Sequence, residues 1–327
     1  MSPSFKDQTW AVTGATGLMG NNLIRMLLER GARVRVLVRG TGRKELAGLA
    51  VEETLGDLHD QVALKRCFEG ADVVVHAAAM VWIGYSQGDE SARINIEGTR
   101  NVCDALPPGA RLLHISTVDA LGWRPFESPA DENTTRRPEE RGVPYGDTKE
   151  AADQVVRDAD LDHVILRPAF MVGPWDWKPS SGKMVLQVAQ GRGALAPDGS
   201  NNIVDVRDVC RAIMNAATLA TTGSEWILGN KNITYIDLWR LIAKVTGGPA
   251  PKGVLPKWAG RLVVKALKAK TRLGLPEGTL NAATARYGFR EHCFDSSKAR
   301  DGLDLPQSPI EDAIADAWAW FQANGYA

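Results

Sequence analysis

Three observations predict an α/β fold: a doubly wound parallel sheet with a smaller C-terminal α/β lid. Short β-rich segments alternate with helix-patterned ones from residue 10 to residue 168. Segment 71–76 (ADVVVH) holds a run of three valines, as a strand buried on both faces requires. Segment 10–12 runs into Gly14, Gly17 and Gly20, spaced G-x-x-G-x-x-G, ahead of a helix-patterned stretch over 21–30. Repeated βα units of this length put helices on both faces of a parallel sheet.

Each element has its own signal. At the first turn, one glycine allows the sharp bend, one lets backbone approach a pyrophosphate, and one lets helix and strand pack closely. The helix N-terminus that follows offers free N–H groups to phosphate. Segment 33–38 (RVRVLV) reads as a strand ending at Arg39-Gly40, and 51–55 as a strand ending at Gly56-Asp57. Residues 64–68 belong to a helix, and 71–76 leads into Ala77, Ala78 and Ala79. A helix over 92–106 stops at Pro107-Pro108-Gly109, and the strand over 111–115 ends in Ser116-Thr117. After a polar loop over 123–144 come a helix over 145–158 and a strand over 163–166 before Arg167-Pro168.

Beyond about residue 170 the rhythm breaks at Pro174, Trp175, Trp177 and Pro179. Segment 202–217 reads as a strand edge followed by a helix over 209–217, and 226–229 as a short strand. An amphipathic helix over 236–245 starts at Thr234 or Asp237 and stops at Gly247-Gly248-Pro249; another covers 309–321. The expected division is a nucleotide-binding unit over 1–168 and a mainly substrate-binding unit over 169–327, with 202–217 returning to the first.

Composition narrows the function. Thirty-nine cationic and 39 acidic residues balance, so charge gives no reason to expect nucleic acid as a partner. Cys67, Cys103, Cys210 and Cys293 lack CxxC spacing, which argues for buried thiols and against a metal site or disulfide framework. No apolar run approaches the roughly 20 residues that span a bilayer. Lys6, Asp7 and Gln8 stand where a signal peptide would be apolar, so the cytoplasm is the expected location.

Ligands of open parallel sheets bind beyond the carboxyl ends of the strands. That rule selects the Gly14 turn, Arg39, Asp57, Ala77 to Ala79, Ser116-Thr117 and Pro168 to Val172. Arg39 ends the second strand, where an acid would bind the ribose hydroxyl of NAD; an arginine suits the 2′-phosphate of NADP. Arg43 and Lys44 follow closely. Asp57 either accepts from an adenine amino group or caps the next helix. Tyr145 and Lys149 stand four apart, one above the other on a helical face. An ammonium near a phenol lowers its pKa from about 10, and such a phenol can exchange a proton with a carbonyl or alcohol oxygen. Thr117 or Ser116 can hold the same oxygen.

The motifs T-G-A-T-G-L-M-G at 13–20, G-D-L at 56–58, H-A-A-A at 76–79 and N-I-E-G-T at 95–99 occur in order. S-T-V-D-A-L-G at 116–122, Y-G-D-T-K at 145–149 and R-P-A-F-M-V-G-P at 167–174 complete the series. This pattern resembles the extended short-chain dehydrogenase/reductase superfamily of NAD-dependent epimerases and dehydratases, with a Rossmann core. It looks closest to the dihydroflavonol-4-reductase-like and 3β-hydroxysteroid-dehydrogenase-like members. The resemblance implies that Tyr145 is the general acid in reduction and the base in oxidation, while Lys149 binds the nicotinamide ribose and depresses the tyrosine pKa. Thr117 would polarise the substrate oxygen, with Ser116 as the fallback, and Asn95 would support the helix bearing the lysine. Gly14, Thr16, Gly17, Leu18, Met19 and Gly20 would cradle pyrophosphate, and Pro168 and Val172 would face the carboxamide. Arg39, Asp57, Leu58 and Ala77 to Ala79 complete the cofactor set. His76 is expected to pack beneath the cofactor.

Two departures separate the chain from nucleotide-sugar enzymes of that superfamily: Phe170 where they commonly carry asparagine, and Arg39 where they tend toward an acid. Leu121, where tyrosine is frequent, points the same way. The expected substrate pocket is Met80, Trp82, Asp119, Met171 and Trp175, with Val81, Trp177 and Met184 nearby, and is largely apolar. The expected function is an NADP(H)-dependent oxidoreductase, with NAD(H) second, that reduces a lipophilic or aromatic carbonyl or oxidises the alcohol. The rivals are an NAD-dependent nucleotide-sugar epimerase or dehydratase, and a non-catalytic NAD(P)-sensing protein. The chain is expected to be a monomer, or a homodimer joined by the helices at 92–106 and 145–158 by analogy with related folds. Segment 257–272 alternates Trp258, Leu262, Val263 and Leu267 with lysine and arginine; it is expected to be a lid helix docked on the core, or else a weak membrane contact.

Overall fold

The protein is described by a computed structural model that covers residues 5–273, 275–278 and 280–327. Strand β1 (Thr9–Thr13) leads through the glycine turn into helix α1 (Leu18–Glu29). Then come β2 (Arg33–Val38), β3 (Val51–Leu55), α2 (Gln61–Phe68), β4 (Val73–His76) and α3 (Gly88–Ala92). A π-helical turn at Arg93–Glu97 joins α3 to α4 (Gly98–Ala105), followed by β5 (Arg111–Ile115), α5 (Pro144–Asp158) and β6 (His163–Pro168). The second half holds β7 (Phe170–Val172), α6 (Gly182–Ala189), β8 (Leu195–Pro197), β9 (Ser200–Asp205) and α7 (Val206–Leu219). After these come β10 (Glu225–Leu228), β11 (Lys231–Thr234), α8 (Tyr235–Thr246), β12 (Gly253–Leu255) and α9 (Lys257–Arg272). Helices α10 (Ala282–Gly288), α11 (Ser297–Leu303) and α12 (Ile310–Ala323) close the chain.

Seven strands form one sheet in the order β10-β6-β5-β4-β1-β2-β3, and every pairing is parallel. Strand order reverses between β1 and β4, which opens a crevice at their carboxyl ends. Trp10 and Val12 of β1, Val73 and Val75 of β4, and Leu113 of β5 are buried in one core with Leu23, Ile24 and Leu27 of α1. Residues from the other side of the strands, Ala11, Val74, Leu112 and Ile165, pack with Leu64 and Phe68 of α2 and Val102 of α4. The sheet is therefore apolar on both faces, which is why its strands read as unbroken hydrophobic runs.

The second half is split between two places. Helix α7 packs Val206, Val209, Cys210 and Ile213 into the core beside α1. Strand β10 extends the main sheet along β6, a return that segment 226–229 does not signal by itself. Helix α11 adds Ala299 and Leu303 to that core, while α6, α8, α12 and a three-stranded sheet of β11, β9 and β7 form a separate apolar cluster.

Several element ends differ from expectation, and capping explains most of them. The helix expected over 209–217 begins at Val206, because the Asp205 carboxylate accepts from the Arg207 N–H at 2.8 Å. Helix α8 is started by Thr234, whose hydroxyl accepts from the Asp237 N–H at 3.2 Å; Asp237 lies inside the first turn. Helix α2 is capped by Asp60, which accepts from the Ala63 N–H at 2.9 Å. Asp57 is therefore not the helix cap; its carboxylate accepts from the His59 N–H at 2.7 Å in a local turn. Helix α9 spans the expected residues and docks along one face, with Gly260 against the Phe289 ring and Val263, Val264 and Leu267 half-buried. Only Gly260 is fully buried, and Trp258 and Leu262 face solvent.

Candidate active site

The crevice floor is built by the three glycines. Gly14 has φ +78°, and a Cβ there would lie 2.7 Å from the Ala77 carbonyl carbon, so β1 and the end of β4 meet only because the side chain is missing. A Cβ on Gly20 would lie 2.2 Å from the Gly14 oxygen, which fixes α1 against the turn. Gly17 differs: the nearest atom to its would-be Cβ is the Gly14 oxygen at 3.5 Å, and the residue is exposed. It stands at the start of α1 with no side chain capping the helix and no acid in the first turn. Two glycines thus close backbone on backbone, and the third leaves an open approach to a helix N-terminus. That arrangement fits a pyrophosphate. Thr16 is half-buried beside it, and Leu18 and Met19 are buried behind it.

Arg39 sits exposed at the end of β2 and makes no ion pair among the described residues. The loop after it is held in place: Arg43 donates to the Gly40 carbonyl at 3.3 Å, and Asn21 of α1 donates to the Glu45 carbonyl at 2.7 Å. Asp57 is exposed at the end of β3, while Leu58 is buried against Gly98. Ala77, Ala78 and Ala79 line the end of β4, all half-buried. His76 beneath them is buried, with its ring nitrogens 2.9 Å from the Thr13 hydroxyl and 3.0 Å from that of Thr99. Burial, then the nearby His114 and Lys149, hold it far below its usual pKa, so it is neutral.

At the end of β5 the Thr117 hydroxyl accepts from the Asp119 N–H at 3.2 Å and lies near enough to the Tyr145 phenol to pull its pKa down against the effect of burial. Ser116 is buried, and its hydroxyl has no partner among the described residues. Lys149 lies one turn beyond Tyr145, with its ammonium donating to the Ile115 carbonyl at 2.8 Å. Asn95 projects from the π-helical turn, accepts from the Met80 N–H at 2.8 Å, and donates to the Met80 carbonyl and, at 3.0 Å, to the Thr148 hydroxyl. One amide side chain therefore ties the Met80 loop to the helix that carries Tyr145 and Lys149.

The electrostatics differ from the expectation of a depressed phenol pKa. Burial raises the Tyr145 phenol above its ordinary value of 10, and the Asp119 carboxylate adds to the rise. Lys149 is itself lowered from 10.5 to about 8, because desolvation outweighs the attraction of Asp153. Burial likewise lifts Asp119 to about 6, against the pull of Arg136. At neutral pH the site presents a protonated phenol that has a proton to give.

Beneath Lys149 lies a buried charge cluster that sequence reading did not anticipate. Asp153 stands 3.3 Å from His114 and 2.9 Å from Arg167, and Arg167 reaches Glu225 at 2.8 Å. Burial opposes ionisation of Asp153, but the adjacent His114 ring and the charges of Arg167 and Lys149 win and hold its carboxyl well below the usual range. The available signal was the spacing: Tyr145, Lys149 and Asp153 recur every four residues on one face of α5.

Of the expected substrate residues, Met80 and Trp82 follow β4, and Met171 is half-buried in β7. Trp175 is engaged elsewhere. It joins Trp177 and Trp320 in an aromatic cluster, with the Arg25 guanidinium 3.4 Å above its ring. Val172 is buried in the same apolar cluster as α6 and α12, and Pro168 is buried in register with Leu228.

A glycine-cradled crevice with a Thr–Tyr–Lys set at the ends of seven parallel strands defines an extended short-chain dehydrogenase/reductase. The sequence pattern described as "NAD dependent epimerase/dehydratase family" matches residues 10–229, and the chain belongs to that family of enzymes. A Synechocystis sp. protein provisionally named a dihydroflavonol 4-reductase is 33% identical, covering 96% of this chain and 95% of its own. Sterol demethylase protein B of Methylococcus capsulatus is also 33% identical, over 97% of this chain and 99% of that one. The crystal structure of gox2253 superposes with a TM-score of 0.85 at 32% identity, covering 98% of this chain and 99% of that one.

Proposed function

We propose that the protein is an NADP(H)-dependent oxidoreductase that reduces a carbonyl on a lipophilic or aromatic small molecule, or oxidises the corresponding alcohol. The observation that carries this reading is the convergence of the Thr117 hydroxyl at the end of β5 with the Tyr145 phenol and, one helical turn on, the Lys149 ammonium held on the Ile115 carbonyl. The glycine turn and the first amides of α1 would hold the pyrophosphate, and Lys149 the ribose. When bound, the nicotinamide ring supplies or accepts the hydride. Thr117 positions the substrate oxygen, and Tyr145, protonated at neutral pH, gives that oxygen its proton. Arg39, unpaired at the end of β2, supports a 2′-phosphate and so NADP over NAD. Met80, Trp82 and Met171 support an apolar substrate, as do the relatives named for a dihydroflavonol and a sterol. Four buried, unpaired cysteines suit a reducing compartment such as the cytoplasm.

Tyr145→Phe tests the assignment. Turnover of NADPH against a panel of ketones, aldehydes, flavonoids and steroids should fall by roughly 10²–10⁴-fold, with NADPH affinity held within about twofold. Retained turnover overturns the role of Tyr145. Arg39→Ala should weaken NADPH binding by roughly tenfold to a hundredfold and leave NADH nearly unchanged. An unaltered NADPH-to-NADH ratio would mean that Arg39 is only a loop charge. Purification with a tightly held, non-exchanging NAD would favour the epimerase or dehydratase reading instead.

A further inference from the structure

We infer that helix α9, with Leu273, Leu275 and Leu280 beyond it, forms a docking surface for an anionic lipid bilayer. A helix packed on a protein core turns its apolar stripe inward and its charges to water. Helix α9 departs from this by carrying a second apolar stripe on its outer side. Trp258, Leu262, Ala266, Ala269 and Leu273 fall on one stripe at about 100° per residue, and all five are exposed. Trp258 is 67% exposed, Leu262 58% and Leu273 80%, and beyond the helix Leu275 and Leu280 are exposed at 51% and 66%. What faces the protein is a minor set: Gly260 against the Phe289 ring, with Val263, Val264 and Leu267 half-buried.

The charges beside that stripe identify the occupant. The helix carries six cations, Lys257, Arg261, Lys265, Lys268, Lys270 and Arg272, and no acid. Lys257 pairs with Glu291 at 3.3 Å and Lys268 lies over the Tyr85 ring, while Arg261, Lys265, Lys270 and Arg272 make no ion pair among the described residues. Along one flank the cations line an open groove of about 650 Å³, whose far wall adds Arg124, Arg137, Arg286 and Arg290 against Glu139, Glu140 and Glu291. Glu140 is already shared between Arg124 and Arg137, which leaves the groove strongly positive. An apolar ridge bordered by cations on a helix lying along the surface matches the interface of a membrane with anionic headgroups. A second copy fits poorly, because a two-fold contact would bring the same six cations face to face.

This surface is joined to the mouth of the crevice. Glu277 accepts from the Tyr85 N–H at 3.0 Å, the Ser86 N–H at 2.9 Å and the Ser86 hydroxyl at 2.7 Å, and Asn281 donates to the Ile83 carbonyl at 2.7 Å. Those residues continue the loop of Met80 and Trp82. Delivery of a lipophilic substrate from the bilayer into that loop rests on the proposed function; adsorption to the bilayer does not.

The test is co-sedimentation of the full chain, without substrate or cofactor, with vesicles of phosphatidylcholine alone or mixed with phosphatidylglycerol. The protein should pellet with the mixed vesicles, bind phosphatidylcholine roughly tenfold more weakly or less, and be released by high salt. Trp258→Glu/Leu262→Glu should lower the partition coefficient at least about tenfold. Lys265→Glu/Lys268→Glu, which leaves the apolar ridge intact, should abolish the preference for phosphatidylglycerol. Binding that is absent, or equal for wild type and both double variants, overturns the proposal. So does size-exclusion chromatography showing a dimer that Trp258→Glu/Leu262→Glu splits, since the ridge would then face a second copy. None of these outcomes depends on whether Tyr145 is the catalytic acid.

Discussion

Helices α5 and α9 break the same rule in opposite directions. Helix α5 buries charge: Lys149 and Asp153 are among the least accessible residues of the chain, at 3% and 1% exposed. Helix α9 exposes Trp258 and Leu262 and keeps only a glycine fully inside. In α5 the inversion is made tolerable by partners, since Lys149 has the Ile115 carbonyl and Asp153 has His114 and Arg167. In α9 nothing within the described chain covers the apolar ridge. Departures from binary patterning concentrate at functional sites. An inversion with internal partners marks chemistry done inside the protein, and one without them marks a surface that meets something else.

The contrast can be broken most forcefully at Asp153. Asp153→Ala strips the buried Arg167 of one of its two carboxylate partners, leaving Glu225, and should cost about 3–5 kcal/mol in urea unfolding at neutral pH. A loss under about 1 kcal/mol would mean that water reaches the cluster and that α5 is not inverted in any energetic sense.

Lys149 gives a smaller effect with a defined sign. Its folded pKa of about 8 lies below the unfolded 10.5, so between these values the unfolded chain binds more protons. The desolvation cost is fully present below pH 8 and is relieved as pH rises through this window. The stability advantage of Lys149→Met over wild type should therefore shrink between pH 7.5 and 10, by up to roughly 3 kcal/mol. A difference that stays constant with pH would refute the lowered pKa.

Helix α9 supplies the last two comparisons. Gly260→Ala places a Cβ 2.4 Å from the Phe289 ring and should cost about 1–3 kcal/mol, because this is where the helix touches the body. Leu262→Glu, on the outward ridge, should change thermal stability by no more than about 0.5 kcal/mol. A large loss at Leu262 would show that the ridge is packed after all and would return α9 to the role of an ordinary lid.

Much of this molecule is legible in its sequence because the governing rules are local. A strand buried on both faces must be apolar along its length, so segment 71–76 announces itself. A turn that brings backbone within contact of backbone must lack side chains, so Gly14 and Gly20 mark the crevice. Tyr145 and Lys149 are legible because i to i+4 spacing is the same on every helix. Tertiary structure alone decided the rest. Asp57 reads as a plausible cap in the chain, and only the path of the loop gives that place to Asp60. Strand β10 joins the main sheet through pairing with β6, a contact across more than fifty residues that no window of sequence contains. The phenol pKa rises because its surroundings exclude water, and burial is a property of the whole packed body. The direction in which α9 turns its apolar stripe was likewise open, since periodicity defines a stripe and only the neighbours determine whether it points inward or out.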